Sequence, residues 1–244
     1  MIEVRNLHKS FGGNKVLDGV NLDIKKGESL VIIGRSGCGK SVLIKHIVGL
    51  LLPDEGYVSV EGNIINELKE EELYELRKKF GFLFQSAALF DSMTVEENVS
   101  LPLIETNVQK IPKEKVDDLV AEKLNLVGLT NTQKLKPSEL SGGMRKRVGL
   151  ARALITSPDY IFYDEPTTGL DPIMSDSIDN LIKELNEKLN VTSIIVTHDM
   201  YSVKNVADKV AMMHEGKIYF KGTPEELITS KDKVIIDFIK RTEI

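Results

Sequence analysis

SLVIIGRSGCGKS, residues 29–41, runs an apolar segment straight into a glycine loop. Val31 to Ile33 are all β-branched and, with Leu30, read as a buried strand. From Val42 onward the apolar positions 43, 44, 47, 48 and 51 recur at helical spacing, which predicts a helix over Val42 to Leu51. Between the two, Gly34 to Ser41 matches the full pattern G-x-x-x-x-G-K-[ST]. Glycines at these positions let successive backbone N–H groups turn inward onto a phosphate, and the helix N-terminus adds its positive end. Lys40 can then reach the β- and γ-phosphates as a point charge, while the Ser41 hydroxyl is a ligand for Mg²⁺. The expectation is a phosphate loop in which Gly34, Arg35, Ser36, Gly37, Cys38, Gly39, Lys40 and Ser41 surround a nucleotide. Cys38, between a helix N-terminus and a cation, is expected to be a reactive thiol.

Outward from this unit, similar apolar runs occur at Phe80 to Phe84, Tyr160 to Tyr163 and Ser193 to Val196, separated by helix-like segments. That alternation predicts an α/β fold with a parallel sheet and crossover helices. Ile2, Val4 and Leu7 with Val20, Leu22 and Ile24 alternate around Gly12, Gly13 and Lys26-Gly27, as half-buried antiparallel strands do, and Tyr57 to Gly62 is expected to return to this small β lobe. Helical periodicity over Glu114 to Asn125 and Gly142 to Ile155, punctuated by Pro102, Pro112 and Pro137, predicts a helical insertion between two sheet strands. Near the C-terminus a hairpin is expected around Glu215-Gly216, and Pro224 to Leu227 opens a final helix.

Composition narrows the function classes. The 244 residues are 41% hydrophobic and 28% charged, which describes a chain able to bury a core, and the formal net charge of −5 gives no general attraction for nucleic acid. The short basic run Lys146-Arg147 reads as a solvated helix face. A single cysteine excludes an intramolecular disulfide and fits a reducing compartment. Apolar stretches such as Ile47 to Leu52 fall far below the ~18 residues of a membrane span, so any membrane link is expected through a partner. The N-terminus, with Glu3 and no long apolar region, does not read as a signal peptide. His8, His46 and His214 have no metal-ligand spacing and are expected to be structural or exposed.

Tyr160 to Tyr163 runs into two adjacent carboxylates, Asp164 and Glu165, at the end of a predicted parallel strand, where such sheets bind ligands. Alone, an Asp-Glu pair before Pro166 reads equally as a solvated turn. Beside the phosphate loop it divides into Asp164, which orients Mg²⁺ through its water shell, and Glu165, which polarises an attacking water as general base. Leu140-Ser-Gly-Gly-Met144 precedes a helix, making Ser141 an N-cap and leaving the amides of Gly142 and Gly143 open to an anion.

These motifs, with the Gly169-Leu-Asp171 turn and His198 after a strand, resemble the nucleotide-binding subunits of ATP-binding cassette (ABC) transporters in the family's order, from about Ile2 to Leu227. The resemblance implies a P-loop NTPase with a RecA-like parallel core, an antiparallel β subdomain and an inserted helical subdomain. The whole of 1–244 is then one ABC domain, with the helical subdomain at about 88–157 and a C-terminal helical tail at about 224–244. It also implies ATP and Mg²⁺ as cofactors, Phe11 and Val16 at the adenine, Gln85 linking Mg²⁺ and water to the helical subdomain, and His198 at the γ-phosphate. Ser41, Gln85 and Asp164 would form the metal set. Ser141, Gly142 and Gly143 would contact the ATP of a second copy of the chain. Met144 departs from the family's usual Gln.

Within the family, SVLIKH (41–46), the segment from Gln85 to Asn98, and the signature ending in Met144-Arg-Lys-Arg147 resemble the Mla/Mce-type phospholipid transport branch. That branch implies permease subunits, further lipid-binding subunits, no nucleic acid, and a peripheral position on the cytoplasmic face of a bacterial inner membrane. Leu89, Phe90 and Met93 are expected to offer an apolar groove to a permease helix. The alternatives are the ATPase subunit of an amino-acid-type importer and a soluble non-transport ABC ATPase. A small kinase or GTPase fits less well, because it would not need the Ser141-Gly-Gly segment.

Overall fold

A computed structural model of the chain describes residues 1–105 and 111–242. Positions 106–110 of the expected helical insertion and 243–244 of the expected tail lie outside them. The chain opens with β1 (Ile2–Phe11) and β2 (Asn14–Ile24), an antiparallel pair joined at Gly12-Gly13. β3 (Ser29–Gly34) passes through the glycine loop into α1 (Lys40–Ile47). β4 (Glu55–Val60) then returns to pair antiparallel with β1, and β5 (Asn63–Ile64) pairs with β4, giving the expected β lobe in the order β2-β1-β4-β5.

After α2 (Glu70–Arg77), β6 (Phe80–Leu83) leads into α3 (Val95–Glu105), α4 (Lys113–Leu126) and α5 (Gly142–Leu154), and the chain rejoins the sheet at β7 (Tyr160–Asp164). α6 (Pro172–Leu189), β8 (Thr192–Val196), α7 (Met200–Val206), the hairpin β9 (Lys209–His214) with β10 (Lys217–Gly222), α8 (Pro224–Ile228) and α9 (Lys233–Thr242) complete it. The second sheet runs β10-β9-β3-β8-β7-β6, parallel throughout except at the β10 edge.

The two-residue period of a strand explains how this sheet holds the molecule together. Leu30 and Ile32 belong to one core with the β lobe and α1, and Val31 and Ile33 to another with the helices that follow β6. Phe162 and Tyr163 divide in the same way on β7. A strand covered on both faces needs a near-continuous apolar run, which is what residues 30–33 and 160–163 supply.

Three expectations change. The first helix starts at Lys40 and ends at Ile47, because Gly49 takes φ +69° just past it; Leu50 and Leu52 are exposed. Pro102 lies inside α3 instead of bounding it. Val99 and Leu103 on that helix are buried, and their packing offsets the roughly 3 kcal/mol that an interior proline costs. The final helix is two, since Asp232 accepts from Val234 N and Ile235 N (2.8 and 3.2 Å) and starts α9 afresh.

Candidate nucleotide site

Val16, Gly34, Ser36, Gly37, Gly39, Lys40, Ser41, Gln85, Asp164, Glu165 and His198 line one cleft of about 570 Å³, at the carboxyl ends of the parallel strands. Arg35 faces a neighbouring cavity of about 310 Å³ shared with Gly34, Ser36, His198 and the α9 residues Arg241 and Thr242. Phe11, at the end of β1, and Cys38 do not line the cleft; Phe11 is exposed, with the Lys9 ammonium 5.6 Å from its ring centroid.

The loop needs glycine where it passes other backbone. A β-carbon on Gly34 would meet Met213 O at 2.5 Å, and one on Gly39 would meet Val16 O at 2.9 Å; both residues have positive φ, +151° and +104°. Gly39 is also the N-cap of α1 and brings no side chain to that helix end, so the first amides of the helix have no side-chain cap. Lys40 curls back over the loop, its Nζ donating to Gly34 O (2.7 Å) and Arg35 O (3.2 Å), with Cys38 Sγ 4.0 Å away.

On the opposite wall Asp164 ends β7. Burial and the neighbouring Glu165 charge push its carboxyl above the usual aspartate range, against the opposing pull of Lys40 and Lys146. Glu165 is held at both carboxylate oxygens: His198 Nδ1 lies 2.8 Å from Oε1, and Thr168 Oγ1 donates to Oε2 at 3.3 Å. Its backbone is left-handed, φ +48°, which is uncommon outside glycine. Its N–H donates to Val196 O (2.8 Å), and its carbonyl accepts from Thr168 N (3.3 Å) and Lys146 Nζ (3.2 Å).

That last contact overturns an expectation. Lys146 is not on a solvated face: it is 5% exposed and also donates to Gln85 O at 2.5 Å. Arg147 is likewise engaged, donating to Val127 O and to Ser177 Oγ (2.8 Å). A signal for Lys146 was present in the helix period, since 143, 146 and 150 share one face of α5 and all three are buried.

Ser141 caps α5, accepting from Met144 N at 3.2 Å. Neither it nor Gly142 or Gly143 lines the cleft, and a β-carbon on Gly143 would collide with Met174. Met144 is partly buried against the core. Leu89, expected in an apolar groove, also packs on the core, and Met93 is absent from the groove's lining. The groove itself, about 650 Å³ beside β6, keeps Phe90 of the three expected residues and is otherwise lined by Tyr74, Phe80, Phe82, Phe84 and Leu101 among others. Among the described residues no helix is long and apolar enough to cross a membrane, and no cluster of three or more His, Cys, Asp or Glu could hold a metal ion.

Residues 17–168 match the family model for the ABC transporter. The chain is 44% identical over 240 residues, 98% of its length and 90% of the relative's, to the intermembrane phospholipid transport system ATP-binding protein MlaF of Haemophilus influenzae. It is 43% identical over its full length, 70% of the relative's, to the probable ribonucleotide transport ATP-binding protein mkl of Mycobacterium leprae. It is 44% identical over 93% of its length, 70% of the relative's, to the methionine import ATP-binding protein MetN of Clostridium acetobutylicum. Among solved structures, the dimeric post-hydrolysis ATP-binding cassette MJ0796 bound to ADP and Pi superposes with a TM-score of 0.82 at 34% identity, covering 92% of this chain and 99% of that one. Cassette cbiO1 of Clostridium perfringens superposes at 0.86 with 31% identity, covering 99% and 97%. The chain belongs to the ABC transporter family, as an ATP-binding, ATP-hydrolysing subunit.

Proposed function

We propose that this ATPase powers phospholipid transport of the Mla/Mce type, bound peripherally through a permease at the cytoplasmic face of a bacterial inner membrane. The observation that carries the reading is the apolar groove beside β6, flanked by the segment from Gln85 to Asn98 in which the chain resembles the phospholipid branch. An amphipathic permease helix is the occupant such a groove suits. The 44% identity to a phospholipid-transport relative supports it as well. The methionine-import relative is equally identical over a slightly shorter span, so an amino-acid-type importer is the second reading. Tagged in its native membranes, the chain should bring down a permease together with phospholipid detectable by mass spectrometry, and its turnover should depend on that permease. A permease that binds a solute receptor and carries no lipid would decide for the second reading.

For the chemistry we take the chain as one cassette over 1–244, with the helical subdomain at about 88–157 and the tail at about 224–244. Backbone amides from Gly34 to Gly39 and the uncapped start of α1 receive the β-phosphate, and Lys40 exchanges its two carbonyl partners for phosphate oxygens. Phe11 and Val16 lie on the adenine side. The donor set Ser41, Gln85 and Asp164 fits Mg²⁺: all three are oxygen ligands on one cleft, and the raised Asp164 carboxyl is a group that a cation would relieve. Held there, Mg²⁺ would supply positive charge to offset the negative charge of the phosphates. Glu165, oriented by His198 and Thr168, takes a proton from the attacking water, and His198 also reaches the γ-phosphate. Ser141, Gly142 and Gly143 of a second copy close the site from the opposite side.

Cys38 gives a direct test of the loop. Its sulfur lies close beside Gly34 and near the Lys40 ammonium, so an alkyl group there intrudes on the phosphate loop. Alkylation should weaken ATP binding at least about tenfold, equivalent to a lost charge-assisted contact of ~1.4 kcal/mol or more. Bound ATP should protect, and Cys38→Ser should be resistant; equal inactivation of the Ser variant would count against it.

A further inference from the structure

We infer that Lys146 is a positioning residue that ties the signature helix of each copy to that copy's own general base. The inference rests on the roles proposed above for Ser141 and Glu165, and goes beyond them in joining the two.

The geometry is specific to this side chain. Lys146 leaves the second turn of α5, the helix that Ser141 caps, and its ammonium ends between two backbone carbonyls, Gln85 O (2.5 Å) and Glu165 O (3.2 Å). The acceptors lie on separate segments, 61 and 19 residues away in sequence. Burial pulls the amine below its ordinary range, while the Glu165 and Asp164 charges favour the ammonium.

Glu165 is a residue that needs holding. A non-glycine residue at φ +48° persists where its surroundings over-determine it. Of the three hydrogen bonds on its backbone, the N–H bond goes to β8 and the Thr168 bond belongs to its own turn. Among the described residues of the helical insertion, Lys146 is the one that reaches it. Farther along α5, Arg152 donates to Ala87 O (2.6 Å) and Ala88 O (2.8 Å), so the helix grips the segment after Gln85 a second time. A push on Ser141 by the nucleotide of the opposite site therefore reaches Glu165 and Gln85 of the near site along one 13-residue helix.

The test compares Lys146→Met, which keeps the apolar stem as far as Cε and loses every donor, with Lys146→Gln, which is also one atom shorter than lysine but keeps two N–H donors, in the complex with its copurified membrane subunits. Turnover is measured there, and ATP affinity on the full chain with a fluorescent nucleotide. Lys146→Met should lower kcat about 30- to 100-fold, the scale of an ångström's misplacement, with the ATP Kd within about twofold. Lys146→Gln should fall between. Because Lys146 acts through Glu165, adding Lys146→Met to Glu165→Gln should not slow single-turnover hydrolysis further. A kcat for Lys146→Met within about threefold of wild type, or multiplicative effects in the double variant, overturns the inference. If Lys146→Met fails to bind nucleotide, Lys146→Gln carries the test: unchanged kcat overturns it, and reduced kcat at unchanged Kd supports it. Normal turnover by Glu165→Gln alone would remove the proposed base, and the inference with it.

Discussion

Glu165→Gln should lower ATP turnover by at least about 100-fold while leaving nucleotide affinity near its wild-type value, the size expected when a general base is removed and binding contacts are kept. The amide retains the shape of the carboxylate between His198 and Thr168, and the variant leaves Lys40, Ser41 and Asp164 in place on the cleft. A loss confined to kcat therefore reports the proton transfer itself. Steady-state turnover and a nucleotide titration on the same preparation separate the two quantities, and a variant that hydrolyses ATP normally would contradict the role of Glu165.

The second large effect concerns stability. Asp179 on α6 is 1% exposed, and among the described residues neither carboxylate oxygen has a hydrogen-bond partner; the Ser202 hydroxyl beside it donates to Asp199 Oδ2 at 3.3 Å. Burial, with Asp199 and Asp176 adding negative charge nearby, pushes its carboxyl up to about 6. Unfolding returns it to the ordinary aspartate range near ~4, so between these values the native state holds a proton that the unfolded state releases. Stability on this account is fully present below pH ~4 and is lost as pH rises through about 6, the native state then carrying an unpaired buried charge. Asp179→Asn removes that charge, and should stabilise the protein by about 2–3 kcal/mol at pH 8, with the gain disappearing towards pH 4. Denaturant unfolding at both pH values reads this directly. An equal effect at the two, or destabilisation at pH 8, would contradict it.

What was legible in the sequence follows from where the physical signals are local. The change from a continuous apolar run at 30–33 to helical spacing after Val42, with glycines between, places strand, loop and helix without help from the rest of the chain. The strand ending in Asp164 and Glu165, and the Ser141 cap, are equally local, and they appear where expected. For Lys146 the helix period marks the buried face, but its two acceptors are main-chain carbonyls of other segments and leave no mark on the side-chain sequence around it. Asn98 also bonds to main-chain groups, here of the nearby residues 90–94, and a lone Asn in sequence does not announce them. It is fully buried, exchanges bonds with Phe90 N and O (2.8 and 3.1 Å), and so staples the segment after Gln85 to α3. Pro102 misled in the opposite direction, its local preference for a helix boundary outweighed by tertiary packing.

α9 shows a further limit. Its apolar face, Ile235 and Phe238, joins the core, while Arg241 and Thr242 come beside Gly34, Ser36 and His198. Periodicity could suggest an amphipathic helix, and Ser230 and Asp232 could suggest its start, but no local feature tells that it returns to the phosphate loop.

We propose that two copies of this chain share each ATP, the loop of one facing Ser141, Gly142 and Gly143 of the other. Light scattering on Glu165→Gln with ATP and Mg²⁺ tests this, with Ser141→Arg added to crowd the facing surface; that substitution also removes the α5 N-cap, so retained ATP binding is the check that the chain still folds. The prediction is a particle of twice the 27.2 kDa chain mass for Glu165→Gln, returning to the single-chain mass when Ser141→Arg is added although ATP still binds. A Glu165→Gln chain that binds ATP and remains at 27.2 kDa, or a dimer indifferent to Ser141→Arg, would contradict it.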